Sequence, residues 1–466
     1  MIFSISPAQI VGFSVTEYDR FQKLIDEFTY RISKNAEKNK YYEGKISLGD
    51  VNLGIALPDG MRGLEIGCSW GAKTVDVLAA RSMFDGFVGL NGEEVEELDN
   101  IVVNNNLIAE YEKCCRDELK FGCTFATLAK DKKGAKIRFH SPQTAAALWN
   151  GEKGRIDCGF AIIDTVPTNE NSNVYVPNLI YYYTDSSIWE IRLINSAWSA
   201  IEHPHKMGRP LMEPLIWNAT SNKPFGRSRI KEPIRRLIDG YVRTIANATI
   251  GLEFATAPQK YLLGVTDDQY DAVINQKFKQ YVGNIIASTT NPETGEKPDF
   301  GQLPQGSITS HVEMVRILAT QFSAATGLSV TDTGVVNDAN PTSSDAILAQ
   351  SQTLIGMAEQ LNQGNGDSLR TIALMALAIA HNTTIENLDE NEKAIVAHFK
   401  NPAMPNVAVT ADAALKIASG RQGFASTDVF LEMIGFDKAD IRRIKSQEAR
   451  SRGEQLITEI ENANIE

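Results

Sequence analysis

The stretch Gly67–Thr74, GCSWGAKT, carries the residue types of a phosphate cradle. In a G-x-x-x-x-G-K-[ST] loop, backbone N–H groups wrap the phosphate oxygens, the Lys reaches the terminal phosphates and the hydroxyl holds Mg2+. Here Ala72 stands where the sixth-position Gly would let the backbone close round the phosphate. No apolar strand with a following acid of Walker-B type is evident downstream. The pattern is one residue short of the chemistry it suggests.

The overlapping stretch LEIGCSWG, residues 64–71, resembles the first motif of S-adenosylmethionine-dependent methyltransferases. In that motif an acidic residue and a Gly-rich turn follow the first strand of a doubly wound sheet and hold the cofactor. Glu93 or Glu94 lies near the spacing where a ribose-binding acid would be sought. Against this, Trp70 occupies part of the turn, the strand is very short, and the downstream chain reads as helix and then antiparallel-looking strands. His203 and His205 flank Pro204 with no third ligand nearby, which reads as a loop pair and not a metal site. No Ser-His-Asp, HExxH or paired-carboxylate constellation stands out. The expectation is a non-enzyme with no cofactor and no metal, and the methyltransferase is the alternative.

A chain of 466 residues buries a large core, and about 150 residues per domain suggests two to four units. The formal net charge of −12 argues against a protein that grips nucleic acid by neutralising phosphates. It leaves room for one that DNA merely passes through. Five cysteines (68, 114, 115, 123 and 158) form no CxxC pair, which points away from zinc and disulfides and towards a reducing compartment. The first residues lack the basic start of a secretory signal. The longest apolar run, Ile372–Ala380, is far short of the ~20 residues that span a bilayer.

Helical spacing of Phe21, Leu24, Ile25, Phe28 and Ile32 predicts a helix over 14–40, with Thr16 and Asp19 as a capping box. Further helices are expected over 71–83 and 103–119. From 121 to 218 the texture is strand-like: FGCTFATLAKDKKGAKIRFHSP reads as a hairpin turning at Lys130–Gly134, followed by IDCGFAIIDTV, VPNLIYYYTD and SIWEIRLI. Ile230, Ile234, Leu237, Ile238, Tyr241, Val242 and Ile245 then mark one face of a helix from about Lys231 to Phe254, with Pro233 in its first turn. After an excursion of about fifty residues (255–308) with its own helix at 266–286, a helix restarts at Ser310, with Glu313 three residues on as a capping-box signature. It ends at Gly327. A polar loop comes next, and Thr342–Asp345 caps a long helix interrupted at Gly364–Gly366. Its last part, 369–380, is apolar on nearly every side. The tail from Ser426 reads as two or three short helices, the first ended by Gly435.

This order of elements resembles the portal proteins, or head-to-tail connectors, of tailed bacteriophages, over nearly the whole chain. The local sequence agrees: YYEGK near residue 41, FDGF at 84–87, HKMGRP, GRSRIKEPIRRLIDGY followed by EFATAPQKYLLGV, and the run from SAATGLSV through NPTSSDAI to LAQSQTLIGMAEQL are similar to portals of siphophage type. The weight lies in the ordered set, because no single motif is specific.

The resemblance implies an α+β fold. A mixed α/β wing with antiparallel strands would span 1–226, strand-rich from about 121. A first stem helix would take 227–254, a small clip insertion 255–308, a second stem helix 309–327 and a tunnel loop 328–343. A long kinked helix and a return to the wing would fill 344–425, and a helical C-terminal crown 426–466. It implies a ring of about a dozen subunits at one capsid vertex of the virion, assembled in the host bacterial cytoplasm. Double-stranded DNA would pass through it during packaging and ejection. The implied partners are the terminase large subunit, the major capsid and scaffolding proteins and the head-tail adaptor, with no membrane.

In that frame Thr331, Asp332, Thr333, Asn337, Asp338, Asn340, Thr342, Ser343 and Ser344 would face the DNA, without a single Lys or Arg in the loop. A solvated surface loop explains the same composition. The cluster Arg227, Arg229, Lys231, Arg235, Arg236 and Arg243 would meet the capsid, DNA outside the ring or carboxylates of a neighbouring subunit, or form a solvated face. Asp267, Asp268, Lys277, Lys279, Glu293 and Lys297 would form the clip's partner surface. The small residues Ala319, Thr320, Ser323, Ala324, Ala325 and Thr326 permit close packing, either between ring neighbours or within one subunit.

Overall fold

The structure is a computed structural model. It describes residues 10–47, 49, 65–89, 96–132, 134–168, 175–194, 197–256, 260–263, 295, 297, 299–302, 308–335, 344–403, 407–421, 423–436 and 438–463. In chain order the elements are α1 (Val15–Tyr42), β1 (Lys45–Ser47), β2 (Glu65–Gly67), α2 (Trp70–Ala79), β3 (Phe84–Val88), α3 (Glu96–Asn104) and α4 (Leu107–Phe121). Next are strands β4 (Cys123–Asp131), β5 (Gly134–His140), β6 (Ala145–Asn150), β7 (Arg155–Pro167), β8 (Tyr175–Tyr183), β9 (Ser187–Ile194), β10 (Ala197–Pro204) and β11 (Met212–Ile216). Then come α5 (Glu232–Thr256), β12 (Lys260–Leu263), β13 (Asp299–Gln302), α6 (Thr309–Thr326), α7 (Ser344–Ala380), α8 (Glu390–Lys393), β14 (Val396–Phe399), α9 (Val407–Gly420), α10 (Asp428–Ile434) and α11 (Lys438–Ala463). The chain divides into two compact units: one of Met1–Asn35, Asp76–Ser228 and Ser344–Glu466, the other of Ala36–Val75 and Arg229–Ser343.

The first unit holds the strands expected between 121 and 218. Strands β6 to β10 form an antiparallel meander in sequence order. Its apolar face takes the stripe of α1: Phe21, Leu24, Ile25 and Phe28 are buried with Phe160, Ile180, Tyr182 and Ile191. The hairpin turn falls where expected, with Asp131 paired to Gly134 across β4 and β5. Strand β11 adds to the other edge of β4, making a three-stranded sheet against which α4 and α7 pack. Strand β14 pairs antiparallel with β3, so part of the segment 383–425 returns to the early chain.

Several local expectations change. Ser14, not Thr16, caps α1, its Oγ accepting from Glu17 N at 3.2 Å. The helix expected over 103–119 is two helices, because Asn106 takes a left-handed conformation (φ 50°) between α3 and α4. The buried Asn105 side chain holds that break open, donating to Ile101 O and Ala135 O and accepting from Ile137 N. The long helix runs through Gly364–Gly366 without interruption. Glycine there costs about 1 kcal/mol of helix propensity, but the last part of α7 is fixed by burial, with Leu369, Ile372, Met375, Ala376, Leu377 and Ala378 all inside. In the tail the first short helix, α10, ends at Gly435 as expected, but α11 after it runs for 26 residues in place of further short pieces.

In the second unit α5 and α6 pack on each other. Ile234, Ile238, Val242 and Ala246 of α5 are buried, as are Leu318, Ala319 and Phe322 of α6. Leu318 seats against Gly240, where an added Cβ would meet its Cδ2 at 3.2 Å. The capping box expected at Ser310 is absent: the N-cap of α6 is Ile308, without a side-chain cap bond, and Glu313 pairs instead with Arg316 at 3.0 Å. Gly327 closes α6 in the left-handed region (φ 74°). Strands β12 and β13 pair antiparallel at the two ends of the excursion. The helix expected at 266–286 lies outside the described residues.

Candidate functional site

The motif that resembled a phosphate cradle is a packing node of the second unit. Trp70 opens α2 and is buried, with its ring 4.6 Å from that of Tyr241 and 4.7 Å from that of Phe322. Gly71 touches the end of α1: a Cβ there would lie 2.1 Å from Tyr41 O, so only glycine fits. Thr74 is fully buried, its hydroxyl donating to Trp70 O at 2.9 Å, so it presents no accessible oxygen to a metal-bound nucleotide. Strand β2 is three residues long and pairs antiparallel with β1 in a two-stranded sheet. A methyltransferase needs a parallel, doubly wound sheet behind this turn, so the methyltransferase alternative fails. Glu93 and Glu94 lie outside the described residues. Burial pushes the Cys68 thiol up to about 11, so it is no nucleophile.

Arg229 completes the node. It is buried, and its guanidinium donates to Thr74 O at 2.6 Å and to Thr326 O at 2.8 Å. Thr326 is the last residue of α6, where unpaired carbonyls and the helix dipole both favour a cation. Burial lowers the Arg229 pKa to about 10, which leaves it charged at neutral pH. The basic-cluster expectation is therefore wrong for this residue: Arg229 is an interior strut, because its acceptors come from distant parts of the chain.

The loop after α6 starts from this node. Ser323 Oγ donates to Leu328 O at 2.6 Å, and Trp70 Nε1 donates to Thr333 O at 3.2 Å. Thr331–Thr333 form one 3-10 turn. Asp332 organises it, accepting from Ser329 N at 3.0 Å and Ser329 Oγ at 2.8 Å. Asn337, Asp338, Asn340, Thr342 and Ser343 lie outside the described residues, and Ser344 is the first residue of α7. Sequence reasoning misses Trp70 as an anchor of this loop. A tryptophan inside a glycine turn is the available signal.

The chain matches, from residue 22 to 454, the family described as phage portal protein, SPP1 Gp6-like. The chain belongs to that family. The portal proteins of Mycobacterium phages L5 and D29 are each 23% identical to it, over 92% of this chain and 88% of theirs. Among solved structures, a chain from the virion of a native gene transfer agent particle matches with TM-score 0.43 and 13% identity, covering 79% of this chain and 89% of that one. A chain from the neck of an empty particle of the same kind, computed with C6 symmetry, gives 0.45 and 12%, covering 79% and 90%.

In this portal family member the other basic residues are dispersed. Arg235 pairs with Glu37 and lies over the Tyr41 ring, whose hydroxyl donates to Asp239 at 2.8 Å. Arg236 is exposed and pairs with Glu232 at 3.4 Å. Arg227 and Lys231 are exposed and Arg243 half-buried, and none of the three has an ion partner among the described residues. Of the clip residues only Lys297 is described, and it is exposed. Asp267, Asp268, Lys277, Lys279 and Glu293 lie outside the described residues. The small residues of α6 divide: Ala319 and Thr326 are buried inside the unit, while Thr320, Ala324 and Ala325 face out. His203 Nε2 lies 3.7 Å from Glu190, and His205 Nδ1 accepts from Met207 N, with no third ligand joining them among the described residues.

Proposed function

We propose that about a dozen copies of this chain close into a ring at one capsid vertex and that double-stranded DNA passes through its centre, inward at packaging and outward at ejection. The observation that carries this is the loop at 328–343. It joins two helices of a portal family member, is pinned at its start by Trp70 and Arg229, and contains no Lys or Arg. Each cation in such a path would add salt-dependent grip by releasing counterions from DNA and would stall a moving duplex. In this reading α5 and α6 are the stem, 255–308 is the clip that meets the terminase and then the adaptor, and 328–343 is the tunnel loop. Residues 1–226 and part of 344–425 form the wing, and 426–466 the crown. The exposed Thr320, Ala324 and Ala325 of α6 would face ring neighbours.

Native mass spectrometry of the purified protein, with class averages by electron microscopy, tests the assembly. The expected result is about a dozen chains of 51.3 kDa around a central hole. A stable monomer or dimer in the presence of scaffold as well as without it sinks the proposal.

The loop's role has its own test. Asp332→Lys would also break the turn at Ser329, so Asp338→Lys is the cleaner change. It adds one cation per subunit, and packaging in vitro should slow by at least about threefold at low ionic strength and recover in salt. A rate unaffected by Asp338→Lys at low salt would take that side chain off the DNA path.

A further inference from the structure

The turn that ends α7 brings together side chains from three separated stretches of the first unit. His381 follows the last residue of α7. Its Nε2 lies 2.8 Å from Oε2 of Glu97, in the first turn of α3, and its Nδ1 lies 3.6 Å from Oε1 of Glu392, in α8. One donor atom from each of the three falls within 4.8 Å of the other two, a combination that no other His, Cys, Asp and Glu side chains reach among the described residues. Glu392 is preset: its Oε2 accepts from Asp389 N at 2.9 Å in the capping box of α8, which leaves Oε1 turned to the imidazole. No Lys or Arg among the described residues pairs with Glu97 or Glu392, so the two carboxylates meet without a permanent cation between them.

We propose that Glu97, His381 and Glu392 bind a divalent transition-metal ion of the zinc class, through one imidazole nitrogen and two carboxylate oxygens. The nitrogen donor selects this class over calcium and magnesium, which take oxygen ligands. The carboxylates stand on different ring nitrogens, so zinc–ligand bonds of about 2.0–2.2 Å need the exposed imidazole to turn and the donor atoms to close in by about 1 Å, with Glu97, also partly exposed, following it. Three protein ligands leave a fourth position to water. The ion would tie the end of α7 to α3, which lie 284 residues apart in the chain. An imidazolium bridging the two carboxylates is the metal-free competitor, and the two states differ in whether metal is taken up.

The experiment is calorimetric titration of the full chain, stripped with chelator, with ZnCl2, beside thermal melts and the variants His381→Ala and Glu97→Gln/Glu392→Gln. One zinc per chain is expected, with a melting temperature raised by about 2 °C in excess metal. Both variants should weaken uptake by at least about tenfold, whereas His203→Ala, on an exposed histidine of β10, should bind as the parent does. Calcium and magnesium should leave the melt unmoved. Cobalt(II) added to the parent gives a reading that needs no variant: a visible band of a nitrogen- and oxygen-ligated ion that zinc displaces. Failure of the parent to take up zinc, or uptake by His381→Ala equal to the parent's, overturns the proposal and leaves the imidazolium bridge.

Discussion

Arg229→Met should melt far below the parent chain or fail to accumulate as folded protein. The side chain is buried and donates to two carbonyls that face the interior of the second unit. Removing the donor strands the Thr326 carbonyl at the end of α6, and a stranded buried group costs about 1–3 kcal/mol. Thr74 O keeps its helical partner within α2, so with the lost charge at the end of α6 and the lost packing of the side chain a loss of about 2–4 kcal/mol is expected. Lysine should not rescue it, because a single ammonium on a flexible stem does not reproduce a planar fork reaching two carbonyls. Circular-dichroism melts of both variants give the measurement. A midpoint within about 1 °C of the parent for Arg229→Met would mean that the guanidinium is dispensable.

A second large effect should come from Glu118, in α4. It is fully buried, with no cation on it among the described residues. Its Oε2 accepts from Asn365 Nδ2 at 2.8 Å, and the same amide donates to Tyr111 OH at 2.9 Å, which shares a hydrogen bond of 2.7 Å with Ser82 Oγ. Glu118 Oε1 and Asn365 Oδ1 find no partner among the described residues. A neutral carboxylic acid carries an O–H that an unpartnered acceptor can use, whereas the carboxylate only adds acceptors. Burial accordingly pushes the carboxyl up to about 8, against the lowering effect of Asn365.

A carboxyl whose pKa is higher folded than unfolded makes the folded chain the better proton binder. Its contribution is fully present below about pH 4.5, drains away as pH rises and is gone above about pH 8. At most about 5 kcal/mol is at stake. Glu118→Gln keeps the paired geometry and cannot ionise, so it should be more stable than the parent at pH 9 and close to it at pH 5. Denaturant titrations of both chains from pH 5 to 9 check this, and parallel profiles would contradict it.

The residues that were legible in the sequence are those whose reasons are local. The apolar stripes of α1 and α5 repeat at helical spacing and are buried as that spacing requires. The turn at Lys130–Gly134 and the stop at Gly327 rest on nearby backbone geometry. Where the reason is remote, the sequence misled. Arg229 sits among basic residues and looks solvated, yet its acceptors lie 155 and 97 residues away. The break at Asn106 depends on Asn105 reaching β5. Strand β6, AAALWN, has little strand propensity of its own and is a strand because β7 pairs with it. The continuity of α7 through two glycines is imposed by packing further along.

The two units are interleaved along the chain, and that has a consequence for synthesis on the ribosome. The first unit waits for Ser344–Glu466, and with it for Leu369–Ile379, which supplies a large share of its core. Until those residues emerge, β4, β5 and β11 have only α4 against them and lack the packing of α7. Thr74 likewise waits for Arg229, and Arg229 for Thr326. A nascent chain therefore spends most of its translation with apolar surface open. Messages truncated after the strand-rich section should yield material for chaperones and proteases, not half a subunit able to poison assembly.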